Sequence, residues 1–433
     1  MFLTHLPMRD STGPAKDRQF DSALNCTVGQ LNDLNEGVVR PILEDLTLTT
    51  FFKYFKVDLS VECPFWVMDR MCKSGGGCHV CRCDENEVPL PWRVETTHRA
   101  ILRPLPSNFK QWNDVDENMW SLSMNEQDSP DATYVNLVDN PESNTGYAGD
   151  EPRRIWDAIY KENCFHVMST DNVNDMCLEE RVFYRLISGL HTSITAHVFA
   201  RWKQHPETHM WMSNQGLWNL VMARFPDRLD NLYFTLDFLL KSVRVAEPFL
   251  KHVAIDTGDA TNDAHTRQLL YNLARSHASH HAQQPSEDAD AKANTKGRHL
   301  EFASGNDSLF PTMYNSEFPR LFASPDRVQL KDDLKHMFRN VSNIMNCVGC
   351  EKCRVWGKLN TLGIATALKL TLAEPEEREE VVKGLQRNEV VAWINTLSSF
   401  SESVHYINKM SVLQPPAHAE APSVQVGKTE GDG

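Results

Sequence analysis

The sequence lacks dense runs of lysine and arginine: 58 acidic residues outnumber 44 basic ones, and the formal net charge is −14. A protein that binds nucleic acid needs a basic surface that follows the phosphates, so this composition excludes nucleic acid as a partner. No stretch approaches eighteen consecutive apolar residues, and no transmembrane helix is predicted. Residues 1–18 also lack the apolar run of a secretory signal. A secretory location would therefore require that a signal precedes this N-terminus or that the start of the protein is assigned at the wrong position.

Strand patterns, internal repeats and nucleotide-binding glycine motifs are also scarce. No Gly-x-Gly-x-x-Gly sequence indicates a Rossmann fold. The triple glycine at residues 75–77 has no preceding strand, following helix or Lys-Ser/Thr, so it predicts flexibility rather than phosphate binding. The eleven cysteines form no regular zinc-ribbon spacing. The 41% of hydrophobic residues, largely in amphipathic helical patterns, predicts a globular helical protein.

The most distinctive stretch begins with three cysteines at intervals of three residues, Cys347, Cys350 and Cys353. On a helix this spacing places the three sulfurs on one face, with Trp356 on the same row one turn later. A cysteine near a helix start lies close to the positive end of the dipole, and nearby basic residues favour a lowered thiol pKa. Taken alone, the C-x-x-C fits a redox pair, a structural disulfide or part of a zinc site.

Four more cysteines crowd into twelve positions of a segment, residues 63–91, that shows no regular pattern. They are Cys72, Cys78, Cys81 and Cys83. The segment is predicted to be a flexible loop. These four thiols, with His79, also keep open a zinc site.

The helical pattern from Glu179 to Lys203 has a polar row beside its apolar stripe. The row consists of Tyr184, Ser188, His191 and Thr195. Such a row fits either a solvated surface or hydrogen bonding to a ligand. Arg224 and Arg228 flank a helix start, where backbone N–H groups, the dipole and guanidinium groups suit a pyrophosphate, although surface arginines are common there.

Composition marks the ends of the chain and one insertion. Residues 1–20 and 411–433 are predicted to be disordered, and residues 93–135 to be irregular. Residues 256–307 form a low-complexity insertion, in which His277, His280 and His281 are expected in a solvated loop rather than at a metal. Helices are predicted after it at Val328–Met345, Glu376–Lys383 and Asn388–Asn408.

Several separated stretches together resemble the endoplasmic reticulum oxidoreductin family of flavin-dependent thiol oxidases. They are Cys63-Pro-Phe-Trp66, Thr145-Gly-Tyr147 before Ile155-Trp156, Phe183-Tyr-Arg-Leu-Ile-Ser-Gly-Leu-His191, and Cys347-Val-Gly-Cys350-Glu-Lys-Cys353-Arg-Val-Trp-Gly-Lys358. They occur in the expected order between Leu31 and Asn408. The resemblance implies a mainly α fold in which a single helical domain, residues 21–410, binds FAD without a Rossmann fold.

The resemblance makes Cys350 and Cys353 the inner redox pair beside the flavin. It places the outer shuttle pair at Cys72 and Cys78, in the loop. Five residues separate these two, whereas the family often has four, so Cys81 and Cys83 stay open as the alternative shuttle pair. Structural disulfides are implied between Cys63 and Cys347 and between Cys164 and Cys177, and Cys26 has no obvious partner.

FAD contacts are implied at Thr145, Trp156, Ser188, His191, Arg224 and Arg228. Trp156 would stack on the flavin or the adenine, Ser188 and His191 would donate or accept hydrogen bonds, and the arginines would neutralise the pyrophosphate. Ser143 stands where the family has an arginine. Loss of a hydrogen bond to a charged group costs about 1–3 kcal/mol, so weaker FAD binding is expected.

The implied enzyme oxidises a protein disulfide isomerase and passes the electrons through FAD to molecular oxygen, giving hydrogen peroxide. It would work in the lumen of the endoplasmic reticulum, with at most peripheral contact to the membrane. Sequons at Asn25, Asn306 and Asn340 are consistent with a glycoprotein. Two other classes remain: a zinc-binding cysteine-rich interaction module without flavin, and a redox-inactive scaffold in which every cysteine is structural.

Overall fold

The computed structural model describes residues 22–63, 65, 79–93, 127, 129–142, 150–163, 178–224, 227–282 and 327–412. In chain order the elements are α1 (Ser22–Leu34), α2 (Arg40–Leu48), α3 (Thr50–Lys53), β1 (Tyr54–Val57), β2 (Thr133–Asn136), α4 (Asp150–Asn163), α5 (Leu178–Ala200), β3 (Lys203–Gln204), β4 (Trp211–Met212), α6 (Gln215–Arg224), α7 (Asp227–Ala246), α8 (Ala260–Ala282), α9 (Arg327–Met345), α10 (Glu351–Thr371), α11 (Arg378–Lys383) and α12 (Arg387–Val412). A π-helical segment, Asn35–Val39, joins α1 to α2, and a 3-10 helix, Glu247–His252, follows α7. The predicted mainly α fold is confirmed, and the described residues form no Rossmann-type sheet.

Helix α10 is the centre of the fold. All its residues from Lys352 to Thr371 are buried except Lys369, and it packs against α12, α7 and α9, while α5 packs against α7 and α12. Two glycines allow the closest approaches: a Cβ on Gly363 would overlap Thr396 of α12, and one on Gly189 would overlap Thr235 of α7. The central helices therefore interlock without space for a methyl group at these crossings.

Of the two sheets in the described residues, the larger is the antiparallel pair of β1 and β2, in which Tyr54 faces Asn136 and Val57 faces Thr133. Residues 81–83 extend the same sheet, because Arg82 bridges to Val135 and Cys83 N donates to Tyr134 O at 2.9 Å. The prediction that residues 93–135 are irregular is therefore wrong from Thr133 onwards. A four-residue strand gives little local signal, since its hydrogen bonds come from a distant segment.

The predicted loop character of residues 256–307 is wrong for α8. This helix packs against α7 and α2 and buries Leu269, Leu270, Leu273 and Ala274. It begins after Thr257, whose N and Oγ donate to the Asp263 carboxylate at 3.1 and 2.7 Å. The side chains of His277, His280 and His281, like residues 283–326, lie outside the described part of the chain.

Boundaries at both ends also differ from the predictions. Helix α1 begins at Ser22 rather than near Leu31, and α12 continues to Val412, two residues into the predicted tail. Residues 1–21 and 413–433 lie outside the described residues. Of the helices described, none combines the length and the apolar character needed to cross a membrane.

Candidate functional site

The C-x-x-C pair occupies the first turn of α10. Cys350 is the N-cap residue, and its Sγ accepts a hydrogen bond from Cys353 N at 3.4 Å. Only 2% of Cys350 and 7% of Cys353 are exposed. The N–H groups and the dipole at a helix N-terminus favour negative charge at the N-cap, whereas burial of the thiol opposes it.

The prediction that Cys347, Cys350 and Cys353 share one helical face is wrong. Helix α9 ends at Met345 and α10 begins at Glu351, so only Cys353 lies inside a helix. Cys347 lies in the turn between these helices, where its N donates to Ile344 O at 2.9 Å. A spacing of three fits a helix-capping turn as well as a helix, and spacing alone does not separate the two.

A disulfide joins Cys347 to Cys63, across 284 positions of sequence. Two buried cations of α10 hold the same region: Arg354 donates to Val348 O at 2.8 Å and to Leu59 O at 2.7 Å, and Lys358 donates to Asp58 O at 3.1 Å. The turn before the dithiol is therefore fixed to residues 58–63 by one covalent bond and two charged side chains. The sequence analysis did not single out either cation for this role.

Asp58 adds a carboxylate beside Lys358. Burial raises the pKa of Asp58, but a hydrogen bond from Ser129 Oγ (2.6 Å) and two from Ser60 (2.6 and 2.8 Å) outweigh burial. The charge of Lys358 acts in the same direction, and the net pKa lies below the ordinary 3.8. The carboxylate is thus ionised near neutral pH and stabilises residues 58–60.

The segment with Cys81 and Cys83 lies against the first turn of α10, where Arg82 forms an ion pair with Glu351 at 3.2 Å. Cys81 is exposed and Cys83 is half-buried. Burial, and then the negative charges of Glu87 and Asp139, raise the pKa of the Cys83 thiol to about 11.

A second group of residues lies on α4, α5 and α7, and we call it the aromatic cleft. It contains four predicted residues, Trp156, Ser188, His191 and Arg228, and also Tyr160, which the sequence analysis did not predict. The rings of Trp156 and His191 stack with centroids 4.0 Å apart and planes inclined by 9°. Tyr160 Oη lies 3.3 Å from His191 Nδ1, and Ser188 Oγ accepts from Asn231 of α7 at 3.0 Å.

Burial dominates the electrostatics of the cleft. It lowers the pKa of His191 well below 6.5, and the positive charge of Arg228 lowers it further, so the imidazole is neutral. Burial also lowers the pKa of Arg228, which is 2% exposed, against the opposing influence of Tyr160 and Tyr184. An anion bound in this cleft would stabilise the charged guanidinium.

The polar row of α5 is not a solvated surface, because all four of its residues are buried. Thr195 contributes nothing to the cleft through its hydroxyl, which donates to His191 O at 2.7 Å within the helix. The structure therefore brings Trp156, His191 and Arg228 together and leaves Thr195 in a structural role.

The other predicted residues are not placed by the structure. Cys72, Cys78, Ser143, Thr145, Cys164 and Cys177 lie outside the described residues. Arg224 ends α6 and Cys26 lies in α1, but both side chains are outside the described part. The sequence analysis did not identify two further functional candidates, Asn140 and Glu351. Asn140 lies five positions before Thr145, and Glu351 lies inside the matched motif between Cys350 and Cys353, but no local pattern assigned either a role.

Comparison with known proteins gives a consistent result. The model of the family "Endoplasmic Reticulum Oxidoreductin 1 (ERO1)" matches residues 38–407. Endoplasmic reticulum oxidoreductin-2 of Arabidopsis thaliana is 37% identical, covering 89% of this chain and 77% of the relative. Endoplasmic reticulum oxidoreductin-1 of Eremothecium gossypii is 31% identical, and the match covers 91% of this chain and 68% of that relative.

Solved structures show the same likeness. A double mutant of S. cerevisiae Ero1p matches with a TM-score of 0.57 and 28% identity, over 89% of this chain and 97% of that one. A further structure is of Ero1p, described as a source of disulfide bonds for oxidative protein folding in the cell. It matches with a TM-score of 0.58 and 25% identity, and the match covers 89% of this chain and 98% of that chain. The chain therefore belongs to the endoplasmic reticulum oxidoreductin 1 family, and is an oxidoreductase with a role in oxidative protein folding.

Proposed function

We propose that this protein is an FAD-dependent thiol oxidase that generates disulfides in the lumen of the endoplasmic reticulum by oxidising a protein disulfide isomerase. The observation that carries the proposal is the buried pair of Cys350 and Cys353 at the N-terminus of the central helix. A helix N-terminus supports the thiolate that disulfide exchange requires. Membership of the oxidoreductin family supplies the biological context.

The aromatic cleft fits FAD in its chemistry. Arg228 provides a buried guanidinium for a pyrophosphate, and Trp156 provides an aromatic face for a ring. One face of Trp156 is covered by His191, so a bound ring would stack on the other face or move His191. Thr145, Ser188 and Arg224 complete the proposed contacts. When bound, FAD would supply the two-electron chemistry that restores the inner disulfide and reduces molecular oxygen to hydrogen peroxide.

The chain's own cysteines would perform two disulfide exchanges. A thiolate of the partner attacks the disulfide between Cys72 and Cys78, and its second thiolate resolves the mixed disulfide, so the partner leaves oxidised with two electrons fewer. The shuttle dithiol then reduces the disulfide between Cys350 and Cys353 in the same way. Two electrons and two protons thereby reach the inner pair, and the shuttle pair is again oxidised.

Cys72 and Cys78 are better candidates for the shuttle pair than Cys81 and Cys83. With a pKa of about 11, Cys83 is almost entirely protonated at neutral pH and is a poor attacking group. The named relatives are endoplasmic reticulum proteins, which supports the proposed location; peripheral membrane contact, glycosylation and a disulfide between Cys164 and Cys177 are further parts of the proposal.

The test is the visible absorption spectrum of the purified protein, followed by oxygen consumption on addition of reduced protein disulfide isomerase. We expect a flavin band in the visible spectrum, about one FAD per chain, and hydrogen peroxide in proportion to oxygen consumed. Cys350→Ala should keep the flavin and reduce oxygen consumption to background, whereas Cys83→Ala should remain active. A colourless protein with stoichiometric zinc would overturn the proposal in favour of the interaction module.

A further inference from the structure

One buried asparagine connects the cysteine-rich segment to the central helix. The side chain of Asn140, which has no exposed surface, donates through Nδ2 to Cys81 O and accepts from Cys81 N through Oδ1, both at 2.8 Å. Its backbone carbonyl accepts a hydrogen bond from Trp356 Nε1 at 2.7 Å. A single amide therefore pairs with Cys81 as a neighbouring strand would, and the same residue touches the helix that carries Cys353.

Glu351 provides a second connection between the same segment and the dithiol. Its carboxylate accepts from Val80 N at 3.3 Å and from Arg82 Nη2 at 3.2 Å. Glu351 follows the N-cap Cys350 directly, so residues 80–82 are fixed beside the first turn of α10. The bridge of Arg82 to Val135 on β2 fixes their direction.

The residue that precedes this cysteine-rich stretch is also attached near the start of α10. Cys63 forms a disulfide with Cys347, three positions before Cys350. Val80 N donates a hydrogen bond to Glu351, one position after Cys350. The two attachments therefore flank the N-cap of α10. A chain segment attached at both ends beside a reaction centre has a high effective concentration there.

We propose that Asn140 and Glu351 are positioning residues that hold the exit of the shuttle-cysteine loop beside the inner pair, and so set the rate of disulfide exchange between the two pairs. The inference rests on the proposed function. Because Trp356 Nε1 donates to the backbone carbonyl of Asn140, removal of the Asn140 side chain deletes both hydrogen bonds to Cys81 without removing an acceptor from Trp356. The effect should therefore fall on exchange between the pairs and leave the inner pair itself competent.

The experiment compares Asn140→Ala with Asn136→Ala in the flavin-loaded enzyme. Asn136 is the last residue of β2, four positions before Asn140, and its side chain accepts from Val138 N and donates to the Asp139 carboxylate. Oxygen consumption is measured with reduced thioredoxin, which under the proposed function delivers its electrons through the shuttle pair, and with dithiothreitol, a small dithiol that does not need to dock as a protein does. A Cys72→Ala, Cys78→Ala variant calibrates how much dithiothreitol bypasses the shuttle.

We expect Asn140→Ala to consume oxygen about tenfold more slowly with thioredoxin and within about twofold of wild type with dithiothreitol. Flavin content should be unchanged, and Asn136→Ala should match wild type with both substrates. Equal loss with both substrates, or no loss with thioredoxin, would overturn the positioning role. A wild-type protein without flavin would instead refute the proposed function, so the two failures are distinguishable.

A second variant, Arg82→Ala, tests the positioning role if Asn140→Ala does not fold. Arg82→Ala removes the ion pair to Glu351 from a side chain that is 46% exposed, and it leaves α10 unchanged. We expect it to slow the thioredoxin reaction about two- to threefold and to leave the dithiothreitol reaction unchanged. Thioredoxin kinetics equal to wild type in this variant would count against the role of Glu351.

Discussion

The dithiol site at the start of α10 and the aromatic cleft on α4, α5 and α7 are held in different ways. The dithiol site depends on bonds to specific distant atoms: the disulfide to Cys63, and the guanidinium of Arg354 on the carbonyl of Leu59. In the cleft, a ring stack of Trp156 on His191 and a buried Arg228 lie among packed helices. Substitutions at the first site should therefore destabilise the fold, whereas those at the second should weaken ligand binding.

The largest effect on stability should follow loss of the disulfide. Cys63→Ser combined with Cys347→Ser removes a link between residues 284 positions apart, which is worth about 5–6 kcal/mol in the chain-entropy account. Urea denaturation should give a lower midpoint, with Cys83→Ser as the control. A double variant as stable as wild type would show that the hydrogen bonds of Arg354 and Lys358 suffice to hold residues 58–63.

Arg354→Met should cost about 3 kcal/mol of unfolding free energy, because it leaves the buried carbonyls of Val348 and Leu59 without a charged donor. The matched control is Arg93→Met. Arg93 also donates to two backbone carbonyls, those of Val88 and Asn86 at 2.7 Å, but both lie within seven positions of it. We expect the control to cost under about 1 kcal/mol. Equal costs would contradict the claim that long-range bonds organise the dithiol site.

In the cleft, the same change of arginine to methionine should weaken flavin binding and leave the unfolding free energy unchanged. Arg228→Met removes the proposed pyrophosphate partner, and the dissociation constant of FAD should rise about 10- to 100-fold, since charge-assisted hydrogen bonds are worth about 1.5–3 kcal/mol. Because burial already lowers the pKa of Arg228, replacing it with an apolar side chain should leave the flavin-free protein as stable as before. Fluorescence titration with FAD and urea denaturation measure the two quantities. A large loss of stability without loss of affinity would reverse the comparison.

Acidification should weaken the cleft through His191. Burial lowers the pKa of His191 well below 6.5, so below pH 6.5 the unfolded chain takes up a proton that the folded protein does not bind. The contribution of this residue to unfolding free energy therefore falls, by up to about 1.4 kcal/mol per pH unit, as the pH drops from 6.5 towards the lower folded pKa. His191→Gln should flatten this part of the profile of stability against pH. An unchanged slope in the variant would place the responsible group elsewhere.

Local patterns in the sequence predicted the helices well, and they predicted less of the site. The helices around residues 179–203, 328–345 and 388–408 appear within a few positions of where periodicity placed them, because amphipathic spacing and helical hydrogen bonds involve residues three or four apart. The short strand β2 and the ordered start of α8 gave weak signals, because each is stabilised by packing against distant elements. The polar row of α5 was ambiguous for the same reason. Whether a polar side chain is buried depends on which distant elements pack over it, and the local sequence does not show this.

The sequence by itself determined that this protein is a helical, acidic chain with a C-x-x-C in a helical context, and that it carries the motifs of an oxidoreductin. The helical, acidic character and the C-x-x-C follow from composition and short-range spacing, whereas the last property rests on the resemblance of its motifs to those of the family. Only the tertiary structure decided that Cys347 lies outside the helix, that Arg354 and Lys358 fix residues 58–63, and that Asn140 pairs with Cys81. Such contacts join residues 59 to 300 positions apart, and a side chain can select a partner at that distance only after the intervening helices have packed.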